Sequence, residues 1–164
     1  MNKHDRSVLD KVNLKDPWQL VAFGFGSGLA PVAPGTFGSL AALPLCMGLV
    51  YLPWYLLLAV IITTFIAGVK ACDVADSVLG MHDNSSVVID EFVGMFISVF
   101  FFPPIWYYTV LGFVLFRFFD ILKPYPINCL DRRIGGGLGV MIDDVLAGIY
   151  ACLCAHVIFF FVLS

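Results

Sequence analysis

Six carboxylates and two cations stand at the edges of long uncharged runs in this chain. Asp83, Asp90 and Glu91 precede one run, Arg117, Asp120 and Lys123 follow it, and Asp143 and Asp144 precede another. Carboxylates in such number are ligands for hard divalent cations. Mg2+ in particular takes one or two of them together with waters and phosphate oxygens. Arginine and lysine beside them supply charge-assisted hydrogen bonds to phosphate. The set therefore points to metal-assisted chemistry on a phosphate group. The plainer reading makes Asp90 and Glu91 first-turn acids that complement a helix dipole, and Arg117, Asp120 and Lys123 an interfacial ion pair with a snorkelling lysine. The dipole accounts for one carboxylate; it accounts poorly for carboxylates that recur at the ends of several runs.

A second constellation is the uncharged segment GFGSGLAPVAPGTFGS, Gly24 to Ser39. Gly26, Ser27, Gly28, Pro34, Gly35 and Thr36 are its candidate substrate-binding positions, through backbone N–H groups at a helix start. No lysine follows the glycines, so it is not a P-loop, and it lacks the dinucleotide fingerprint. The alternative is a connector crossing an interface. Gly135-Gly136-Gly137-Leu138-Gly139, just before Asp143, allows close backbone approach. Asp73 and Asp76 either join the acidic cluster or solvate a helix end. His82 is a general acid/base or a turn residue, and His156, deep in the last apolar run, suits packing. Five cysteines with a single C-x-C pair read as small hydrophobes, with no disulfide framework or zinc site.

The elements that position these residues follow from composition. Of 164 residues 60% are hydrophobic and 13% charged, against about 25% charged in soluble domains. Residues 17–69, 92–116 and 145–164 contain no Asp, Glu, Lys or Arg. The net charge of −3 leaves no basic footprint for nucleic acid. A spanning helix needs about 20 apolar residues, so the first two runs split at Pro53 and at Pro103-Pro104, both beside Trp and Tyr as at membrane interfaces. Helices are expected at about 38–51, 54–78, 87–102, 105–122 and 141–163. This is an all-α, polytopic membrane bundle of four to five membrane helices, some short. Residues 1–16 read as a flexible cytoplasmic tail and 17–164 as one membrane-embedded domain. With the basic N-terminus inside, every charged cluster falls on the cytoplasmic side and both aromatic-proline turns on the other.

Motif spacing excludes several phosphatase chemistries. Cys129 and the arginines after it do not form a Cys-x5-Arg loop, there is no D-x-D-x-T stretch, and the two histidines of membrane acid phosphatases are missing. The D-G-x2-A-R signature of nucleotide-activated alcohol phosphotransferases is also missing.

Four segments in order, GFGSGLAPVAPGTFGSLAALP, HDNSSVVIDEFVGM, FRFFDILKPYPI and GGGLGVMIDDVLAG, closely resemble the phosphatidylglycerophosphatase A family of bacterial inner-membrane lipid phosphatases. The resemblance covers most of the chain from Pro17. It implies hydrolysis of phosphatidylglycerophosphate to phosphatidylglycerol and inorganic phosphate, dependence on Mg2+, and an active site facing the cytoplasm. Asn84 departs from the histidine of relatives, which leaves His82 and Asp83 as the candidates in that motif.

On this reading Asp90, Glu91, Asp143 and Asp144 hold Mg2+, with Asp83 or Asp120 completing the site. Arg117 and Lys123 neutralise phosphate oxygens, and Gly26 to Thr36 contribute backbone donors. Water is the preferred nucleophile, with an aspartate the alternative. The contrasting class is a cation- or proton-coupled transporter, which should carry ionisable groups near the bilayer midplane.

Overall fold

The computed structural model describes residues 11–81, 84–128 and 135–162, and among these all regular structure is helical. Helix α1 is Pro17–Ala22, α2 Pro34–Leu49, α3 Trp54–Leu79, α4 Ile89–Ser98, α5 Trp106–Leu122 and α6 Gly136–Val162. A 3-10 helix, Gly24–Leu29, lies between α1 and α2.

The boundaries have local causes. The Asp16 carboxylate accepts the N–H groups of Trp18 and Gln19 at 2.9 and 3.0 Å, and Pro17 occupies the first helical position, which starts α1. Lys11, from the segment expected to be a tail, donates to the Leu79 carbonyl at 2.9 Å. Pro53 precedes α3, and Gly80, at φ 70°, closes it. Lys123 ends α5 in the left-handed region at φ 40°, immediately before Pro124. Helix α6 begins five residues earlier than expected because Asp73 of α3 accepts the Gly137 N–H at 2.6 Å. The cap comes from another helix, so no local signal announces it.

The largest departure is α4. The apolar run suggested about 87–102, yet the helix has ten residues, or about 15 Å at 1.5 Å per residue. That is roughly half the thickness of a hydrocarbon core. Beyond Ser98 the backbone turns, with Phe101 at φ 62° ahead of Pro103. Helix α4 touches α2, α3, α5 and α6. All of its residues except Asp90 and Ile97 are buried. It is the core of the bundle rather than a lipid-facing span.

Helices α3 and α6 are long and apolar enough to cross a membrane. The outer faces of the bundle expose Ile62, Ile66, Val114, Phe118, Leu153 and Val157, an apolar surface of the kind that meets lipid or another protein. The two ends differ in chemistry. Tyr51 and Trp106, from the two aromatic-proline turns, line one cavity of 210 Å³. At the opposite end Asp73 meets Gly137 and Lys123 meets Asp143.

Candidate active site

The acidic site is built by the crossing of α4 and α6. A Cβ on Gly148 would lie 2.5 Å from the Gly94 carbonyl oxygen, and one on Gly94 would run into the Phe116 ring and lie 2.9 Å from the Asp144 carbonyl. Only glycine permits this approach. Asp90 and Asp144 each lie four residues, one helical turn, before these glycines. The backbone contact therefore brings the first turn of α4 against α6. Carboxylate oxygens of Asp90, Glu91 and Asp144 lie within 4.8 Å of one another.

Glu91 and Asp144 are 9% and 3% exposed. Asp90 Oδ1, Glu91 Oε2 and Asp144 Oδ2 are buried and find no hydrogen-bond partner among the described residues. Unpartnered carboxylate oxygens are costly to bury, and buried charges are paired or coordinate metals. Three such oxygens converging on one place form an all-oxygen donor set that fits a hard divalent cation. The residues present therefore suit Mg2+.

Cations and a helix start surround this cluster. Arg117 Nη1 lies 2.7 Å from Asp120 Oδ2 and 3.9 Å from Glu91 Oε1. It also donates to Ser39 Oγ at 3.4 Å. Asp120 faces Asp144. Lys123 Nζ lies 2.5 Å from Asp143 Oδ2. Asp143 and Asp144 thus diverge, as neighbours about 100° apart on a helix must: Asp144 joins the carboxylate cluster and Asp143 the lysine.

Helix α2 begins at this site. Ala33 takes a left-handed conformation at φ 47° and Pro34 the first helical position. Gly35 abuts Glu91, since a Cβ there would collide with Glu91 Oε1 and lie 3.4 Å from Arg117 Nη1. Ser39, fully buried, donates to the Gly35 carbonyl at 2.9 Å. Its spacing of four from Gly35 puts both on one helical face.

The remaining candidates fall elsewhere. Thr36 sits in the first turn of α2, its N–H donated to the Ala33 carbonyl. Ser27 Oγ donates to the Gly24 carbonyl at 2.7 Å. Gly28 lies against the Ser86 carbonyl, where a side chain would collide, while a Cβ on Gly26, at φ 96°, would lie 3.9 Å from Leu14 Cδ1. Gly28 thus packs the loop against the segment leading into α4, where Val88 N–H meets the Ala22 carbonyl. Asp83 and His82, with Arg132 and Arg133, lie outside the described residues. Asp73 caps α6. His156 packs between Phe102 and Phe159, with its Nδ1 2.8 Å from the Cys152 carbonyl oxygen.

The family profile described as Phosphatidylglycerophosphatase A matches residues 20–159. The chain belongs to the phosphatidylglycerophosphatase A family. Among similar proteins is the Phosphatidylglycerophosphatase A of Escherichia coli strain K12, 43% identical over 90% of this chain and 86% of that one. The Haemophilus influenzae Phosphatidylglycerophosphatase A is 43% identical over 97% of this chain and 99% of its own length. A Bacteroides thetaiotaomicron protein, provisionally named a phosphatidylinositol-3-phosphatase, is 42% identical over 80% of this chain and 87% of its own. No solved structure matches. The stretch matched to the phosphatidylglycerophosphatase A family contains Asp90, Glu91, Asp144, Arg117, Asp120 and Lys123. Membership of the family supports a phosphatase function and gives no support to a transporter.

Proposed function

We propose that this protein is a Mg2+-dependent phosphatase of the bacterial inner membrane. It hydrolyses phosphatidylglycerophosphate with water to phosphatidylglycerol and inorganic phosphate. The observation that carries this reading is the convergence of three buried, unpartnered carboxylate oxygens beside Arg117 in a chain of this family.

Asp90, Glu91 and Asp144 would hold the metal. Bound there, Mg2+ supplies polarisation of the phosphoryl group and a lowered pKa for a ligated water. Arg117 faces the same space and meets the phosphate oxygens, where most transition-state charge lies. Asp120, 2.7 Å from Arg117, orients the guanidinium. Lys123, tethered to Asp143 at the end of α5, adds a second positive charge at the rim. Gly35 leaves room for the Glu91 carboxylate at the start of α2, whose positive dipole end faces the anionic cluster. Water attacks phosphorus and the glycerol oxygen departs with a proton.

The bundle lies in the membrane with α3 and α6 as its full-length spans, α2 and α5 as shorter ones and α4 enclosed between them. The acidic site faces the cytoplasm. Four described cations support this orientation. Lys11 bonds the end of α3, Lys70 lies 4.2 Å from the Trp18 ring centroid, and Arg117 and Lys123 lie beside the acidic cluster. The positive-inside rule places that end in the cytoplasm.

The test is to incubate the purified full chain with phosphatidylglycerophosphate and Mg2+ and to separate the lipid products. Phosphatidylglycerol and inorganic phosphate in equal amounts are expected. A folded protein that leaves the lipid intact would remove the proposal.

A further inference from the structure

The geometry points to a groove that holds an acyl chain of the lipid substrate on the α3–α6 side of the bundle. This inference rests on the lipid-phosphatase reading and adds the place where the apolar half of the substrate binds.

The groove exists because α4 is short. Helices α3 and α6 continue past its last residue, Ser98, and the gap between them encloses 270 Å³. Leu58 and Ile61 of α3 form one wall, and Ile149 and Leu153 of α6 form the other. Ile97 and Phe100 form the floor. Where the chain leaves helical geometry at the floor, the Phe100 carbonyl accepts a hydrogen bond from Cys152 Sγ at 3.4 Å, so this backbone oxygen is satisfied. The volume falls below the roughly 300–1,000 Å³ that encloses a whole small ligand. It suits one end of a molecule, a chain rather than a headgroup.

Position identifies the occupant. One wall comes from α6 and the floor from the end of α4 and the turn after it, and these two helices carry Asp144, Asp90 and Glu91. Ile149 is five residues beyond Asp144, and Ile97 six beyond Glu91, so the groove opens about 7.5–9 Å further along the bundle. A phosphatidylglycerophosphate whose terminal phosphate meets the carboxylates must extend its acyl chains in that direction, into the part of the bundle flanked by the two membrane-length helices. A second apolar hollow, beside Leu56, Ala59, Val60 and Thr63, is formed by α3 and Leu52 just before it, and shares no helix with Asp90, Glu91 and Asp144. The cavity beside Tyr51 and Trp106 lies at the opposite end from the site.

The experiment compares kcat/KM for phosphatidylglycerophosphate with that for its deacylated, water-soluble counterpart, in wild type and in Ile149→Trp and Leu153→Trp. Both positions are partly exposed, at 38% and 61%, so indole can fill the groove from outside. Val114→Trp, exposed on α5, is the control. The wild type should prefer the acylated substrate. The two groove variants should lose at least about tenfold on it, the effect of no longer burying two methylenes, with KM rising and the deacylated substrate unaffected. Val114→Trp should match wild type on both. Equal losses on both substrates, or unchanged preference in both groove variants, would overturn the groove and leave it to bulk lipid. Failure of the wild type to release phosphate from either substrate would instead strike at the phosphatase reading itself.

Discussion

Gly94 of α4 and Gly148 of α6 meet backbone to backbone, with 2.5 Å between the Gly94 carbonyl oxygen and the place a Cβ on Gly148 would occupy. The approach of Asp90 to Asp144 hangs on this contact, because both stand one turn before it. Gly148→Ala must push the helices apart, since the obstacle is backbone and cannot rotate away. Overpacking of this kind costs about 1–3 kcal/mol. The expected outcome is a lower unfolding temperature in detergent together with a weakened Mg2+ requirement curve. A variant with normal stability and normal Mg2+ affinity would show that the crossing does not set the site.

The two neighbouring aspartates should behave differently. Asp144→Asn removes a member of the carboxylate cluster and should lower kcat by at least about 100-fold, the upper range for residues that merely support a metal ligand. Asp143→Asn releases Lys123 and should chiefly raise KM, with the Mg2+ concentration for half-maximal rate unchanged. Phosphate-release kinetics across a Mg2+ titration separate the two. Identical Mg2+ shifts in both would mean that Asp143 ligates metal as well.

Arg117 touches Asp120, Glu91 and Ser39 at once. Lysine keeps the charge but not the planar fork. Arg117→Lys should therefore lose roughly tenfold or more in kcat/KM, a change of about 1.4 kcal/mol in transition-state binding. Full activity would remove the guanidinium from the phosphate-binding role.

Gly35→Ala tests the start of α2. The added methyl collides with the Glu91 carboxylate, a collision relieved by displacing that side chain. Activity should fall sharply while the thermal transition stays near wild type, since alanine otherwise favours a helix. An active Gly35→Ala protein would place Glu91 elsewhere.

Asp73 supplies the contrast. Its carboxylate accepts the Gly137 N–H, so Asp73→Ala should cost about 1 kcal/mol of stability, as loss of a helix cap does. The Mg2+ dependence should stay at the wild-type value. A specific loss of Mg2+ affinity with unchanged stability would enrol Asp73 in the metal site.

Several elements could be read directly from residues. Pro53 and Pro103-Pro104 interrupt uncharged runs, and α3 and α5 begin within three residues of them. The extent of α4 was less visible, because Val99 to Phe102 are as apolar as the helix before them; the turn rests on backbone conformation at Phe101. The early start of α6 depends on Asp73, 64 residues away. The acids at the edges of the runs were visible, but their partition was not: whether a carboxylate meets Lys123 or its fellow acids depends on helix rotation. The crossing glycines carry no chemical signal, and neither does Ser39 until α2 is placed against Arg117.

The central claim is that the carboxylate cluster of α4 and α6 supports metal-dependent removal of phosphate from a lipid. The most direct measurement is inorganic phosphate released from phosphatidylglycerophosphate by the purified protein, with Mg2+ or with chelator, in wild type and Asp90→Asn. The account predicts release that vanishes on chelation, returns with added Mg2+, and is lost in Asp90→Asn while the fold persists. Equal release with and without metal, or an Asp90→Asn protein as active as wild type, would contradict it.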